Sequence, residues 1–258
     1  MKGFKIFAKH MPLPVSFRNP RLLIGLPTPL VSLASYQLAG RGRGSNVWLS
    51  PSGCLLFSLL LRVSLSTFPP SKLVFVQYLI SLAVAEACRS ESVLGAKAGR
   101  RVRLKWPNDL YAVIGPDEEA NTKNVRKIGG VLVSVSFMGG IVNIVIGMLL
   151  LVHSTGLRNM IRCLLGCGLN VLNLAPMTSL SQLRGAASTN LNIERTAASI
   201  ISKFESMWAI FTHEEVSFKP FMDLYLERWM HSFVSCYSTC CSLSKVALTH
   251  QKKFFWFQ

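Results

Sequence analysis

"GRGRGSNVWLSPSGC", Gly40 to Cys54, decides how the rest of this chain is read. Glycines alternate with Arg41 and Arg43, Trp48 follows, and a Pro-Ser-Gly turn closes the stretch. Glycine lets backbone N–H groups approach an anion closely, because no Cβ intervenes. Arg41 and Arg43 add charge and directional donors for phosphate or carboxylate. Trp48 offers a flat face for a base. On these residues alone two readings stand. One is a loop that wraps an anion; the other is a solvated Gly-Arg turn or an RGG-like tail.

Working outward, "CLLFSLLL" (Cys54 to Leu61) is an apolar run after a turn and reads as a buried strand. Residues 21–39 mix short apolar runs with Pro and Ser, and read as strand and turn. "PPSKLVFVQYLISLAVAEACR" opens on prolines and is rich in Leu and Ala, so a mostly buried helix is expected. "VRLKWPNDLYAV" reads as strand, turn, strand, with Trp-Pro-Asn-Asp as the turn. "VRKIGGVLVSVSF" is a further strand and "IVNIVIG" its partner. From Ile193, apolar residues recur in steps of three and four through Phe211, an amphipathic helix capped by Asn190 or Asn192. Phe218, Phe221, Leu224, Tyr225 and Trp229 repeat the pattern and read as core.

Composition narrows the partners. The chain has 258 residues and a net charge of +16, which suits a nucleotide, a polyanion or an acidic partner. No acid precedes Glu86 and none lies between Glu119 and Glu194. No helix-turn-helix, zinc-finger or RNA-binding signature accompanies the charge, so no nucleic-acid partner is expected. Ile128 to Val152 is uncharged and long enough to span a bilayer. Its Gly-Gly pairs and β-branched alternation also suit buried central strands, the reading adopted here, so no membrane partner is expected. Seven cysteines in no framework spacing point to a reducing compartment and free thiols.

Two further stretches carry chemistry. In "KWPNDLY" (Lys105 to Tyr111), Lys105, Asn108 and Asp109 cluster on one turn. Asp109 could hold Mg²⁺ together with phosphate oxygens; the alternative is a plain Pro-Asn-Asp turn. In "RKIGGVL" (Arg126 to Leu132), a lysine precedes a Gly-Gly at which a ligand could lie against the backbone. An ordinary strand start has the same letters.

Taken in order, "GRGRGSNVW", "KWPNDLY", "RKIGGVLV" and "CGLNVLN" (Cys167 to Asn173) closely resemble the biotin–protein ligases, the holocarboxylase synthetase family. The resemblance covers about residues 21–147 and 167–232. It implies an α+β fold: a mixed β-sheet backed by helices, similar to the class II aminoacyl-tRNA synthetase core. It implies that biotin and ATP react to biotinyl-5′-AMP, with Mg²⁺, and that biotin then passes to a lysine on the biotin-acceptor domain of a carboxylase.

The resemblance also assigns roles. Arg43 and Lys127 would be catalytic. Gln37, Gly40, Arg41, Gly42, Arg43, Lys127, Gly130 and Gly168 would surround biotin. Arg41, Arg43, Trp48, Lys105, Asn108 and Asn170 would lie on the adenylate side, and Asp109 would be the magnesium carboxylate. The expected compartment is the cytoplasm, with plastid or mitochondrion as the alternative.

Three stretches depart from the family pattern. The first twenty residues are basic and acid-free. They lack the family's Ser-Thr pair and read as unassigned or transit-like. Residues 148–166 read as an insertion within the catalytic domain 21–232. Residues 233–258 form an unassigned tail where family members usually continue into an SH3-like domain. Two other functions stand beside ligation: a non-enzymatic relative that keeps the fold, and a membrane-associated protein.

Overall fold

The run CLLFSLLLRVS carries no charge before Arg62, and its first eight residues are all buried. A strand covered on both faces reads as a continuous apolar run rather than an alternation. This computed structural model describes residues 5–8, 26–35, 40–41, 47–48, 50–115, 124–138, 141–146, 167–184 and 191–230. The segment 148–166 and the tail 233–258 lie outside them.

In chain order the strands are β1 (Lys5–Ala8), β2 (Leu30–Ala34), β3 (Gly40–Arg41), β4 (Val47–Trp48), β5 (Cys54–Ser64), β6 (Val102–Lys105) and β7 (Asp109–Val113). They continue with β8 (Val125–Val131), β9 (Val133–Met138), β10 (Ile141–Ile146) and β11 (Cys167–Asn170). The helices are α1 (Leu73–Cys88), α2 (Gly95–Gly99), α3 (Leu180–Leu183), α4 (Ile193–His213) and α5 (Met222–Arg228).

Nine of these strands form one sheet among the described residues, with β3 and β4 as a separate ribbon. The path runs β1-β2-β5-β11-β8-β7-β6, and β10 pairs with both β5 and β9. The β1–β2 pair is parallel and the others are antiparallel, so the sheet is mixed, as expected. The strand expected across "VRKIGGVLVSVSF" is divided at Leu132 into β8 and β9. Only β9 pairs with β10, while β8 lies between β7 and β11. Lys5–Ala8, inside the stretch read as unassigned, extends the sheet beside β2.

The path from β10 to β11 has a consequence for residues 147–166. Ile146 pairs with Leu59 of β5 and with Val133 of β9. Cys167 pairs with Phe57 of β5 and with Val131 of β8. Both neighbours therefore leave one position between the two strands, opposite Ser58 on one side and Leu132 on the other. The ends of β10 and β11 are those of one strand interrupted at a single residue.

The expected helix over "LVFVQYLISLAVAEAC" forms as α1, and 11 of its 16 residues are buried. Length and composition alone would let Pro70–Cys88 cross a membrane, yet most of it is buried within the protein. It packs against α4 and against β6 and β8. The described residues of the uncharged stretch from Ile128 to Ile146 fall in β8, β9 and β10 with Leu132 between the first two, and none is helical. Asn192 caps α4, its side chain accepting from the Arg195 N–H at 2.9 Å. Phe75 stacks on Phe218 with centroids 5.4 Å apart, which fastens α1 to the C-terminal turn.

The first acid of the chain, Glu86, sits in this seam. It accepts from Arg228 Nε at 2.6 Å, and that arginine is buried. Arg228 also pairs with Glu227, and Arg103 donates to the Glu227 carbonyl at 3.0 Å. These contacts hold α5 against the β6 edge, where Trp229 bridges Leu104. Burial pushes the thiols of Cys88 and Cys167 up to about 12, so both stay protonated and pack as apolar groups. Among the described residues no group of three or more His, Cys, Asp or Glu could hold a metal ion.

Candidate functional site

The site is built where β7, β8 and β11 run side by side. Gly130 on β8 faces Asp109 of β7 on one edge and Gly168 of β11 on the other. The pairing of β7 with β8 contains an irregularity: Leu110 faces Gly129, but Tyr111 faces Lys127. Ile128 is the extra residue, a β-bulge. A bulge changes which side the following residues face. Ile128 and Gly129 turn inward and are buried, whereas Lys127 and Gly130 both turn outward on the side of Asp109.

Lys127 Nζ donates to Asp109 Oδ1 at 2.7 Å. The lysine side chain is 42% exposed, so this ion pair contributes little to stability. Its importance is in placing a cation. Beneath it, Gly130 carries no Cβ. A methyl there would stand 3.4 Å from Asp109 Oδ1, 3.7 Å from the Asn108 carbonyl oxygen and 3.9 Å from Lys127 Cε. The missing side chain leaves a shallow floor between a carboxylate and an ammonium group. Lys105, opposite Asp109 on β6, lies over the Tyr111 ring with Nζ 5.1 Å from its centroid.

Asn108 is 5% exposed, and its Oδ1 has no hydrogen-bond partner among the described residues. A buried acceptor left unpaired is costly, which marks it as a place where a ligand donor or cation would be stabilised. Its oxygen and the Asp109 carboxylate are neighbouring hard donors of the kind magnesium accepts alongside phosphate oxygens.

Asn170 was expected to face the adenylate. Here both ends of its amide are engaged within the protein: Nδ2 donates to the Thr178 carbonyl at 3.0 Å, and Oδ1 accepts from Cys54 Sγ at 3.3 Å. Asn173 donates to the Ser52 carbonyl at 2.9 Å, so these two asparagines pin the turn before β5 to the turn after β11. Gly40 faces Trp48 and Arg41 faces Val47 across the β3–β4 ribbon. Gln37, Gly42 and Arg43 lie outside the described residues. Thus Lys105, Asn108, Asp109, Lys127, Gly130 and Gly168 converge on adjoining strands, while the ribbon holds Gly40, Arg41 and Trp48 shortly before β5.

Two residues escape a motif reading. Gln77 Nε2 donates to the Pro107 carbonyl at 2.8 Å, and Tyr78 accepts from Trp106 Nε1 at 2.9 Å. Helix α1 thereby grips the "KWPND" turn. The one available signal is a glutamine in an otherwise apolar stretch of helix.

Residues 19–150, just over half of the chain, match the model of the biotin/lipoate A/B protein ligase family. The chain belongs to that family. Among curated members, the human biotin–protein ligase is 32% identical over 225 residues, covering 82% of this chain and 26% of its own length. The chloroplastic biotin–protein ligase 1 of Arabidopsis thaliana is 32% identical over 210 residues, covering 80% and 47%. This ligase-family chain therefore spans between a quarter and a half of the length of these relatives. A Leishmania major biotin protein ligase solved with biotinyl-5-AMP superposes with a TM-score of 0.55 at 18% identity, covering 95% of this chain and 88% of that one. The biotin/lipoate ligase fold, with its class II synthetase-like sheet, is the fold of this chain.

Proposed function

We propose that this chain is the catalytic part of an ATP-dependent biotin–protein ligase. One observation carries the reading: Lys127 stands beside Asp109 above the side-chain-free floor of Gly130, within the segment that matches the ligase family. Human and Arabidopsis relatives named biotin–protein ligase, and a related structure holding biotinyl-5-AMP, supply the substrate class.

In the first step a biotin carboxylate oxygen bonds to the α-phosphorus of ATP. The bond from that phosphorus to the bridging oxygen breaks, and pyrophosphate leaves. Two anions must meet, so the positive charge of Lys127, Arg41 and Arg43 lowers the barrier where charge crowds. Lys127 is already held at the floor by Asp109, so little reorganisation is needed when an anion replaces part of that contact. Asn108 Oδ1 and the Asp109 carboxylate would hold Mg²⁺, which supplies charge neutralisation on the phosphates. By the family resemblance, Trp48 would stack on adenine, and Gln37 and Gly168 would serve the biotin side. In the second step an acceptor lysine amine on a carboxylase domain attacks the mixed-anhydride carbonyl. An amide forms, AMP leaves, and the amine loses a proton.

Biotin-dependent exchange of pyrophosphate into ATP tests this without the acceptor. The wild-type chain is expected to catalyse it. Lys127→Ala and Arg43→Ala should each lower the rate by roughly 10²-fold or more, the usual consequence of deleting a charge that acts on the transition state. A folded chain with no exchange would replace this reading with the non-enzymatic relative. That second reading is favoured by the sequence around Met11 to Pro20, MPLPVSFRNP, which lacks the family's Ser-Thr pair. For the compartment we propose the cytoplasm. Fluorescent fusions with and without residues 1–20 test this against the plastid, the compartment named for one Arabidopsis relative.

A further inference from the structure

We propose that Gln77 is a positioning residue for the adenylate side of the site, acting through the backbone on either side of Asn108. The inference rests on the ligase reading above for its functional consequence, but not for its geometry.

Asn108 presents a buried Oδ1 that no hydrogen bond from the described residues holds in place. The place from which Asn108 presents it is set by the backbone on either side. Two planar peptide units flank its Cα, and fixing both planes fixes φ and ψ. The unit on the C-terminal side is held by the sheet: the Asn108 carbonyl accepts from the Val131 N–H at 2.8 Å. The unit on the N-terminal side contains the Pro107 carbonyl. That oxygen accepts from Gln77 Nε2 at 2.8 Å. Pro107 has no N–H of its own with which to anchor the turn. One clamp thus comes from β8 and the other from α1, and the second depends on one side-chain amide.

Gln77 is suited to the task. Around it α1 reads VFVQYLIS, so a polar side chain here faces a mostly apolar setting. Its neighbours Phe75, Val76, Leu79 and Ile80 are buried in the core, which makes the helix a rigid support. Tyr78, next along the helix, accepts from the Trp106 indole at 2.9 Å. Trp106 is 42% exposed, so water can replace that bond, whereas the amide contact is partly buried and has no equivalent substitute.

The test compares Gln77→Met, which keeps length and helix propensity but removes the donor, with Tyr78→Phe as control. Amide hydrogen exchange of a peptide spanning residues 104–112 is read first. Gln77→Met should accelerate exchange there about tenfold while global melting changes little, and Tyr78→Phe should not. In pyrophosphate exchange, Gln77→Met should lower kcat/KM for ATP about tenfold and leave KM for biotin unchanged. Unaltered hydrogen exchange at the turn overturns the proposal whatever the activity. A loosened turn with wild-type kinetics toward ATP overturns the positioning role. If the wild-type chain itself shows no pyrophosphate exchange, the ligase reading fails, while hydrogen exchange still decides whether Gln77 holds the turn.

Discussion

Gly129→Ala is expected to destabilise the sheet, whereas Gly130→Ala, one residue on, is expected to leave the fold intact and abolish most activity. A Cβ on Gly129 would lie 2.6 Å from the Gly168 carbonyl oxygen, with Leu169 and Leu110 methyl groups at 3.1 and 3.3 Å. The carbonyl cannot retreat, because Gly168 is also in register with Leu56 of β5. Overpacking that displaces backbone costs about 3 kcal/mol. For a domain of this size that lowers Tm by roughly 6–12 °C. Gly130 is different. Its Cβ meets nothing closer than 3.4 Å, so the variant should melt within a few degrees of wild type. Its methyl would occupy the floor under Lys127, and pyrophosphate exchange should fall by about 10²-fold, as when reacting groups are displaced by an ångström. Thermal melts and the exchange assay on both variants check the pair. Full activity in Gly130→Ala would show that the floor carries no ligand.

Joining Gly147 directly to Cys167 is expected to stabilise the protein. The strand pairing on both sides leaves room for one residue between Ile146 and Cys167. In the shortened chain Gly147 would take that place, opposite Ser58 and Leu132, and β10 and β11 would become one strand. Closing a loop of this length within a sheet costs about 3 kcal/mol in chain entropy. Its removal should therefore raise Tm by roughly 6–12 °C. Pyrophosphate exchange should be kept or improved, since Gly168 lies next to the junction. A shortened chain that is insoluble, or that melts lower than the parent, would show that the segment is integral to the fold.

Much of the fold is legible in the letters because burial writes itself into composition. The apolar run of β5, the proline-led α1 and the three-and-four spacing of α4 each specify an element from local residues alone. The division of "VRKIGGVLVSVSF" at Leu132 is not legible locally. It depends on which partner each half meets, β11 and β7 for one and β10 for the other, and those partners are distant in sequence. The candidate site divides the same way. Lys127, Asp109 and Gly130 are visible as motif letters, and the sheet brings them together. Gln77 is not, since its partner is the Pro107 backbone carbonyl, which any residue would offer. Asn170 shows the converse: a motif letter whose amide the fold engages in joining two turns.

The bulge at Ile128 gives β8 something like a reading frame. In an unbroken strand, sidedness is a question of parity, and residues an odd number apart lie on opposite faces. Lys127 and Gly130 are an odd number apart yet share a face, because the extra residue resets the count. The spacing in "KIGG" is thus as much a part of the site as its letters. Losing the bulge at unchanged length would preserve lysine and glycine while turning the ammonium group toward the layer that holds Leu110. Between sequences of this kind, the gap between these two positions is the character to compare first, ahead of identity at either one.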